Sequence, residues 1–287
     1  MAAILRAGYT CVNVNPLYTA RELEHQLKDS GATAIVVLEN FAHTLEEVIA
    51  RTQVKHVVLT AFGDLLGPWY GRWLTFAVRH LAKMVPPFKL PMSDGRTVTP
   101  FRQALAAGSR HALKPSQANL DSIAFLQYTG GTTGLSKGAV LTHRNIVAAI
   151  LQAEAWFTPA LARVGNVRET NSVAALPLYH IFAFTVGMML SMRTGGKLIL
   201  IPNPRDLPAV LKELSKHTFH SLPAVNTLFN GLANHPDFNT VNWSNLKVSL
   251  GGGMAVQKGV AERWKALTGC PISEGYGLSE TSPVATA

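Results

Sequence analysis

The densest concentration of usable chemistry in the 287-residue sequence is the run Tyr128–Ala139, YTGGTTGLSKGA. Gly130, Gly131, Gly134 and Gly138 permit tight turns and let backbone N–H groups come close to an anion. Thr129, Thr132, Thr133 and Ser136 add hydroxyl donors, and Lys137 adds a positive charge. The apolar run Ile123–Leu126 reads as a strand ending where the loop begins, and a helical pattern starts at Thr142. Donors and charge gathered between a strand and a helix are suited to holding phosphate oxygens. Two common phosphate loops are excluded. A Walker loop ending at Lys137 would have its first glycine at Gly131, but Ser136 stands where the second glycine belongs and Gly138 where Ser or Thr would bind magnesium. The GxGxxG dinucleotide pattern is absent. A plain Gly/Thr surface loop is the remaining alternative, and the density of Gly, Thr and Lys argues against it.

Three later stretches carry further candidates. His180 sits in the apolar run Ala175–Phe184, ALPLYHIFAF; Gly251, Gly252 and Gly253 precede Met254; and Glu274–Thr281 reads EGYGLSET. On residue type alone His180 reads as a satisfied core histidine, Tyr276 as core packing and Glu280 as a solvated carboxylate.

The elements that must position these residues alternate strand and helix. Strands are expected at residues 10–15, 33–38, 55–60, 122–128, 172–176, 197–201 and 246–250. Helices are expected at 19–30, 42–52, 142–157, 207–217 and 256–268, the first with Thr19 as N-cap and Gly31 just past its end. The alternation predicts an α/β fold of mostly parallel sheets flanked by helices. One stretch departs from it: Leu65–Ser93 contains no Asp or Glu. At about 3.6 residues per turn, Arg72, Arg79 and Lys83 line one helix face, and Trp73, Leu74, Ala77, Leu81 and Met84 the other. Residues 65–93 therefore read as a basic amphipathic insertion suited to a membrane interface, or as an ordinary surface helix.

The loop and the three later stretches, in this order, resemble the phosphate loop, the Pro-x-x-His motif, the adenosine-binding glycine turn and the Tyr-Gly-x-Ser/Thr-Glu motif of the adenylate-forming superfamily. That superfamily comprises acyl-CoA ligases, luciferases and peptide-synthetase adenylation domains. The runs ILRAG, VNVNPLYTARELEHQLKDSGA, NPRDLP and GVAERWKALTG narrow the likeness to bacterial long-chain fatty-acid–CoA ligases. The resemblance implies ATP-dependent formation of an acyl-adenylate, followed by transfer to coenzyme A. It implies that Tyr128–Gly138 (Tyr128, Thr129, Gly130, Gly131, Thr132, Thr133, Gly134, Ser136, Lys137, Gly138) holds the phosphates, with Lys137 countering their charge. Thr129 and Glu280 would place Mg2+, Tyr276 would stack on adenine, and Gly251–Gly253 would let backbone lie against the base. Glu274 would accept from the adenine amino group, with Gly275, Gly277 and Ser279 completing that motif. His180 would stand beside the reacting carboxylate; a fatty acid is already ionised at neutral pH, so orientation suffices. Phe182, Phe184, Val225, Asn226, Leu228 and Phe229, with Gly252 as a wall, are acyl-slot candidates. Relatives continue well past Thr281, so residues 1–287 read as a partial large N-terminal AMP-binding domain, inactive alone, with N-terminal strands and a Lys-bearing C-terminal domain lying outside it. Open sheet edges and exposed apolar surface would follow. An aryl- or other acyl-adenylate-forming ligase, and a non-catalytic nucleotide-binding fragment, remain open.

Composition bounds the partners. Formal net charge is +9, hydrophobic residues are 47% and charged residues 15%. A basic, apolar chain fits an anionic small ligand or an anionic membrane surface. Nucleic acid is excluded because no groove-reading or base-stacking motif accompanies the charge. Cys11 and Cys270, far apart, read as buried thiols of a reducing compartment. The N-terminal residues do not read as a signal peptide, and no run reaches the ~20 apolar residues of a membrane span. The expected location is cytoplasmic, peripherally associated with the inner face of the cell membrane. A homodimer is compatible with these features.

Overall fold

Mostly parallel strands alternating with helices build the molecule. A computed structural model describes residues 1–92, 95–130, 135–165 and 170–287. The chain divides into two units, one of Met1–Ala118 with Tyr128–Gly138, the other of Asn119–Gln127 with Ala139–Ala287.

The first unit begins with α1 (Ala2–Arg6), β1 (Cys11–Val12) and α2 (Ala20–Asp29). Then come β2 (Ala34–Leu38), α3 (Ala42–Ile49), β3 (His56–Thr60), α4 (Pro68–Phe76), β4 (Thr97–Pro100) and α5 (Phe101–Gly108). Strands β2, β3 and β4 form a parallel sheet, with Ile35 opposite Val57 and Val57 opposite Val98. Leu23 and Leu27 of α2 and Leu45, Val48 and Ile49 of α3 pack together with Val57. Helix α2 starts where its sequence says it should. The Thr19 hydroxyl accepts from the Glu22 N–H, and the Glu22 carboxylate accepts from the Thr19 N–H at 2.8 Å. Donation to the carboxylate from the Thr19 hydroxyl at 2.7 Å, and then from its N–H, holds the Glu22 carboxyl below its usual pKa.

The second unit takes in β5 (Ile123–Thr129) and β6 (Lys137–Thr142), both of which run from one unit into the other, and α6 (His143–Leu161). It continues through β7 (Asn171–Ala174), α7 (Leu190–Thr194), β8 (Lys197–Leu200), α8 (Leu207–Leu214), β9 (Ser221–Ala224) and α9 (Asn226–Ala233). It closes with β10 (Val248–Gly252), α10 (Lys258–Thr268), β11 (Ile272–Gly277) and β12 (Val284–Thr286). Its main sheet has the order β12-β11-β10-β9-β7-β8, parallel except for the antiparallel β11–β12 pair. The pleat sends alternate residues of β10 to opposite faces. Val248 and Leu250 pack with Phe157 and Phe182. Ser249 turns the other way, toward Trp264. There Trp264, Phe229, Phe238 and Trp243 form an aromatic cluster.

The expected helices and strands are present with trimmed ends, most visibly at β1, which keeps only Cys11 and Val12 of residues 10–15. Strand β10 runs two residues later than the expected 246–250, so Gly251 and Gly252 lie inside the strand. The largest departure follows the glycine-rich loop. Strand β6 comes before the helix, and β5 and β6 are neighbours in the sheet β1-β5-β6. The loop therefore links two strands. The helix N-terminus at His143 is capped by Thr142 and Asn145, leaving its donors to its own capping box. Short strands and helices rich in Gly, Pro or Ala (α1, β4, α5, β9, α9, β11 and β12) escaped the sequence pattern.

The segment 65–93 does not form one amphipathic helix. Helix α4 ends at Phe76, a π-helical turn spans Ala77–Leu81, and Lys83 has φ +51°. The π turn breaks the regular period, and Lys83 at φ +51° leaves the helical geometry that would align it with Arg72. Arg79 is also committed inside the protein: its guanidinium bonds Glu39 through Nε and Nη2, at 2.6 Å for the shorter contact. Glu39 is 1% exposed, so a buried carboxylate anchors one member of the expected basic stripe. The aromatic side is open, with Trp69 83% and Trp73 59% exposed. No helix among the described residues is long and apolar enough to cross a membrane.

Candidate active site

The sequence-predicted site residues divide between the two units. Tyr128–Gly138 belongs to the first, and His180, Gly251–Gly253 and Glu274–Glu280 to the second. Gly131, Thr132, Thr133 and Gly134 lie outside the described residues.

In the first unit both ends of the loop are clamped by α2. Tyr128 is buried, and its hydroxyl donates to Asp29 Oδ2 at 2.6 Å. Burial, followed by that bond, raises its pKa well above the usual phenol value, so the hydroxyl stays protonated. One turn earlier on α2, His25 Nε2 donates to the Ser136 carbonyl at 2.8 Å. The acceptor is a carbonyl, so the proton sits on Nε2. Gly138 packs on the Tyr128 ring: a Cβ there would lie 3.1 Å from it. Thr129 is half-buried, while Gly130 and Lys137 are exposed. Among the described residues Lys137 makes no ion pair, so its ammonium is available to an incoming anion. The clamp residues His25 and Asp29 escaped the sequence reading. They lie about a hundred positions from their partners, and their i, i+4 spacing resembles any polar helix face.

In the second unit β10 delivers the glycines. Gly252 faces the Phe182 ring, which a Cβ there would approach to 3.1 Å. Gly251 points the other way, where a Cβ would lie 2.5 Å from Val256 Cγ2 and 3.0 Å from Ile272 Cγ2. Gly253 has φ +82°, a conformation that favours glycine. The chain after it is pinned twice. Asn226 Oδ1 accepts from the Gln257 N–H at 3.0 Å, and Glu274 Oε2 accepts from the Val256 N–H at 3.1 Å. Glu274 therefore spends one oxygen on the turn and has another lone-pair-bearing oxygen for a ligand. Tyr276 follows it at a spacing of two on β11, so both stand on the same exposed face. Gly275 and Gly277 alternate with them, and a side chain at Gly277 would collide with the Pro283 carbonyl. Ser279 and Glu280 form the short turn after β11. Glu280 is exposed and makes no ion pair among the described residues. Replacing Gly251 by alanine forces Val256 and Ile272 apart; the expected cost is about 1–3 kcal/mol, read as a lower urea midpoint.

His180 is held in one tautomer. Its Nδ1 accepts from the Phe182 N–H at 3.3 Å, which leaves the proton on Nε2 as a donor. Gln127, on β5, donates to the neighbouring Tyr179 carbonyl at 3.3 Å. The residue is exposed at one edge, and desolvation of the rest of the ring lowers its pKa from 6.5. A lowered value means the imidazole is neutral throughout the neutral range, so it can orient a carboxylate by donation without carrying charge. The acyl-slot candidates do not share one wall. Phe182 packs with Leu250 on one side of the sheet, and Leu228 and Phe229 join the aromatic core on the other. Phe184 is fully buried edge-on to Phe125 at 4.8 Å.

Among the described residues no group of three or more His, Cys, Asp or Glu could hold a metal by itself. Magnesium binds through one or two carboxylates with water and substrate phosphates completing its shell. An unpaired exposed carboxylate such as Glu280, with the Thr129 hydroxyl, is of that chemical type.

Comparison with known proteins places the chain in a family. A family model described as "AMP-binding enzyme" matches residues 1–287. The chain is 51% identical over 284 residues to a long-chain-fatty-acid–CoA ligase of Yersinia pestis, covering 99% of this chain and 49% of that protein. It is 31% identical over 287 residues to one of Bacillus subtilis, covering 99% of this chain and 49% of the relative. Among solved structures it resembles an anthranilate CoA ligase in complex with anthranoyl-AMP, at TM-score 0.76 and 20% identity, over 98% of this chain and 48% of that one. It also resembles a long-chain-fatty-acid-CoA ligase from Archaeoglobus fulgidus, at TM-score 0.68 and 24% identity, over 99% and 50%. The chain spans about half the length of the curated relatives it matches.

Proposed function

Because the chain belongs to the AMP-binding enzyme family, we propose that the whole protein activates long-chain fatty acids with ATP and transfers them to coenzyme A. The observation that carries this reading is the 51% identity over 284 residues to a protein named for that reaction. A carboxylate oxygen attacks the α-phosphorus of ATP, the bond to the β-phosphate oxygen breaks, and pyrophosphate leaves. The sulfur of coenzyme A then attacks the acyl carbonyl, AMP leaves, and the thiol proton goes to solvent.

Charge develops on phosphate oxygens in the first step, so fixed donors and cations carry most of the catalysis. Lys137 and the backbone of Tyr128–Gly138 bind and orient the β- and γ-phosphates, on a base held by His25 and Asp29. Gly251–Gly253 present backbone to the base, Tyr276 gives it an aromatic face, and Glu274 accepts from its amino group. Thr129 and Glu280 would hold Mg2+, which supplies charge neutralisation at the phosphates when bound. His180 orients the attacking carboxylate through Nε2–H. The reaction draws on ATP and coenzyme A, which places it on the cytoplasmic side. Exposed Trp69, Tyr70 and Trp73 support peripheral contact with an anionic membrane surface, where long-chain acids concentrate.

The test is fatty-acid-dependent release of AMP from ATP by the whole protein, with a long-chain acid, an aryl acid and no acid compared. Turnover only with the long-chain acid is expected. Preference for the aryl acid would move the protein to another branch of the family, and nucleotide binding without turnover would make it a non-catalytic binder. His180 gives a pH signature as well. Its pKa lies below 6.5, so neutral imidazole persists at and above that pH and is lost only as the pH falls through the depressed value. Adenylate formation is expected to stay flat from about pH 8 down to about 6.5 and fall below it. His180→Asn would lose the part of that acid limb due to the imidazole. An unchanged limb in the variant would assign the titration elsewhere.

A further inference from the structure

Beside α4, within the first unit, lies a groove of about 280 Å³ that the proposed reaction does not use. Three arginines and a histidine line it: Arg72 from α4, Arg79 and His80 from the π turn that follows, and Arg102 from α5. Its volume lies just under the ~300 Å³ at which small-ligand sites begin, the scale of a single headgroup. Two glycines, Gly63 and Gly71, are part of its lining and lie close together. A side chain at Gly63 would collide with the Gly71 carbonyl, and one at Gly71 with the Gly63 carbonyl. The loop before α4 can therefore press against the helix.

The charges in this groove are not all spoken for. Arg79 is committed to Glu39. Asp64, the carboxylate in the lining, accepts from the Thr60 hydroxyl at 3.0 Å and the Ala61 N–H at 2.8 Å through one oxygen, closing its own turn. Arg72 and Arg102 are exposed, and neither forms an ion pair among the described residues. Two guanidiniums lining one groove, neither ion-paired among the described residues, offer planar forks of N–H donors, which suit a phosphate better than a point charge would. On the adjacent face of the same helix Tyr70 stacks on Trp73 with ring centroids 6.3 Å apart, and Trp69 is exposed.

We propose that this groove is a binding site for a phosphate group, held between Arg72 and Arg102. The aromatic face beside it favours the phosphate of an anionic lipid headgroup as the source, which rests on the peripheral membrane reading above. A soluble phosphate anion shares the chemistry.

The experiment compares the whole protein with Arg72→Gln, Arg102→Gln, the double variant, Lys89→Gln as a charge control, and Trp69→Ser/Trp73→Ser. Two probes are used: vesicles of phosphatidylcholine with and without phosphatidic acid, scored by co-sedimentation, and inorganic phosphate, scored by calorimetry. Each arginine substitution is expected to weaken binding to phosphatidic-acid vesicles about fivefold and the pair about 25-fold, with melting unchanged and Lys89→Gln much weaker in effect. Loss of phosphate binding in the double variant with vesicle binding intact would assign the groove to a soluble phosphate. Trp69→Ser/Trp73→Ser without effect on vesicles, alongside an arginine-dependent loss of phosphate binding, would remove the membrane reading and keep the site. No arginine effect on either probe, or an equal effect from Lys89→Gln, would overturn the proposal.

Discussion

Lys137→Ala is expected to slow adenylate formation by the whole protein about 10²–10³-fold and to leave its stability within about 0.5 kcal/mol of the parent. The two halves of that expectation come from different observations. Lys137 opens β6 with its side chain exposed and makes no ion pair among the described residues, so the folded chain loses nothing when the ammonium goes. The loop base is held without it, by His25 on the Ser136 carbonyl and by Tyr128 on Asp29 and under Gly138. The ammonium is therefore available to an incoming anion, and in the proposed reaction its removal falls on the step in which phosphate charge develops. Lys28→Ala is the contrast: that lysine pairs with Glu24 on the surface of α2 at 2.6 Å, and no rate change is expected. Fatty-acid-dependent exchange of pyrophosphate into ATP, measured beside a melting curve, reads both quantities. A variant that melts far below the parent and regains its rate on cooling would make Lys137 a structural residue.

What the sequence made legible was what local chemistry decides. The apolar runs of β2 and β3, the Thr19 capping box and the Gly31 stop are each written within a few residues and form where expected, although β2 is not buried and Val36 is 56% exposed. The site motifs were legible in the same way, since Gly251–Gly253 and Glu274–Thr281 are contiguous. Illegible were contacts between distant residues and local geometry that departs from the ordinary periods. Asp29 and His25 carry no motif, yet they hold the loop across 99 and 111 positions. Strand β6 is hidden because Lys137 and Gly138 are poor strand formers, so the run from the loop to α6 looked like one connection. The π turn at Ala77–Leu81 defeats a pattern counted at ~3.6 residues per turn, and the pairing of Arg79 with Glu39 spans 40 positions. Strand β11 is disguised by two glycines in six residues, because the same strand that stacks in the sheet must also leave room for the close approach of Pro283.

The fold and the site meet at Trp264. Its side chain is fully buried, with ring centroids 4.9 Å from Phe229 and 5.2 Å from Trp243. Its Nε1 donates to Ser249 Oγ at 2.9 Å, and Ser249 in turn donates to Cys270 Sγ at 3.4 Å. Trp264→Ala removes the central ring of that cluster and one partner of a buried hydroxyl, and the expected destabilisation is about 3–5 kcal/mol. Trp264→Phe keeps most of the packing and loses the N–H donor, so about 1 kcal/mol is expected. The stability loss carries a functional signature, because Ser249 lies two residues before Gly251 on the same face of β10. A strand that relaxes into the cavity left by the indole draws Gly251–Gly253 away from the position in which the proposed site would present backbone to the adenine base. Trp264→Ala is therefore expected to raise the KM for ATP at a temperature where the variant is still folded, with the KM for fatty acid less affected. Urea midpoints and ATP titrations at such a temperature measure the two effects separately. A midpoint within error of the parent would mean that Phe229, Phe238 and Trp243 support β10 unaided; a lowered midpoint with an unchanged KM for ATP would separate the aromatic core from the glycine turn.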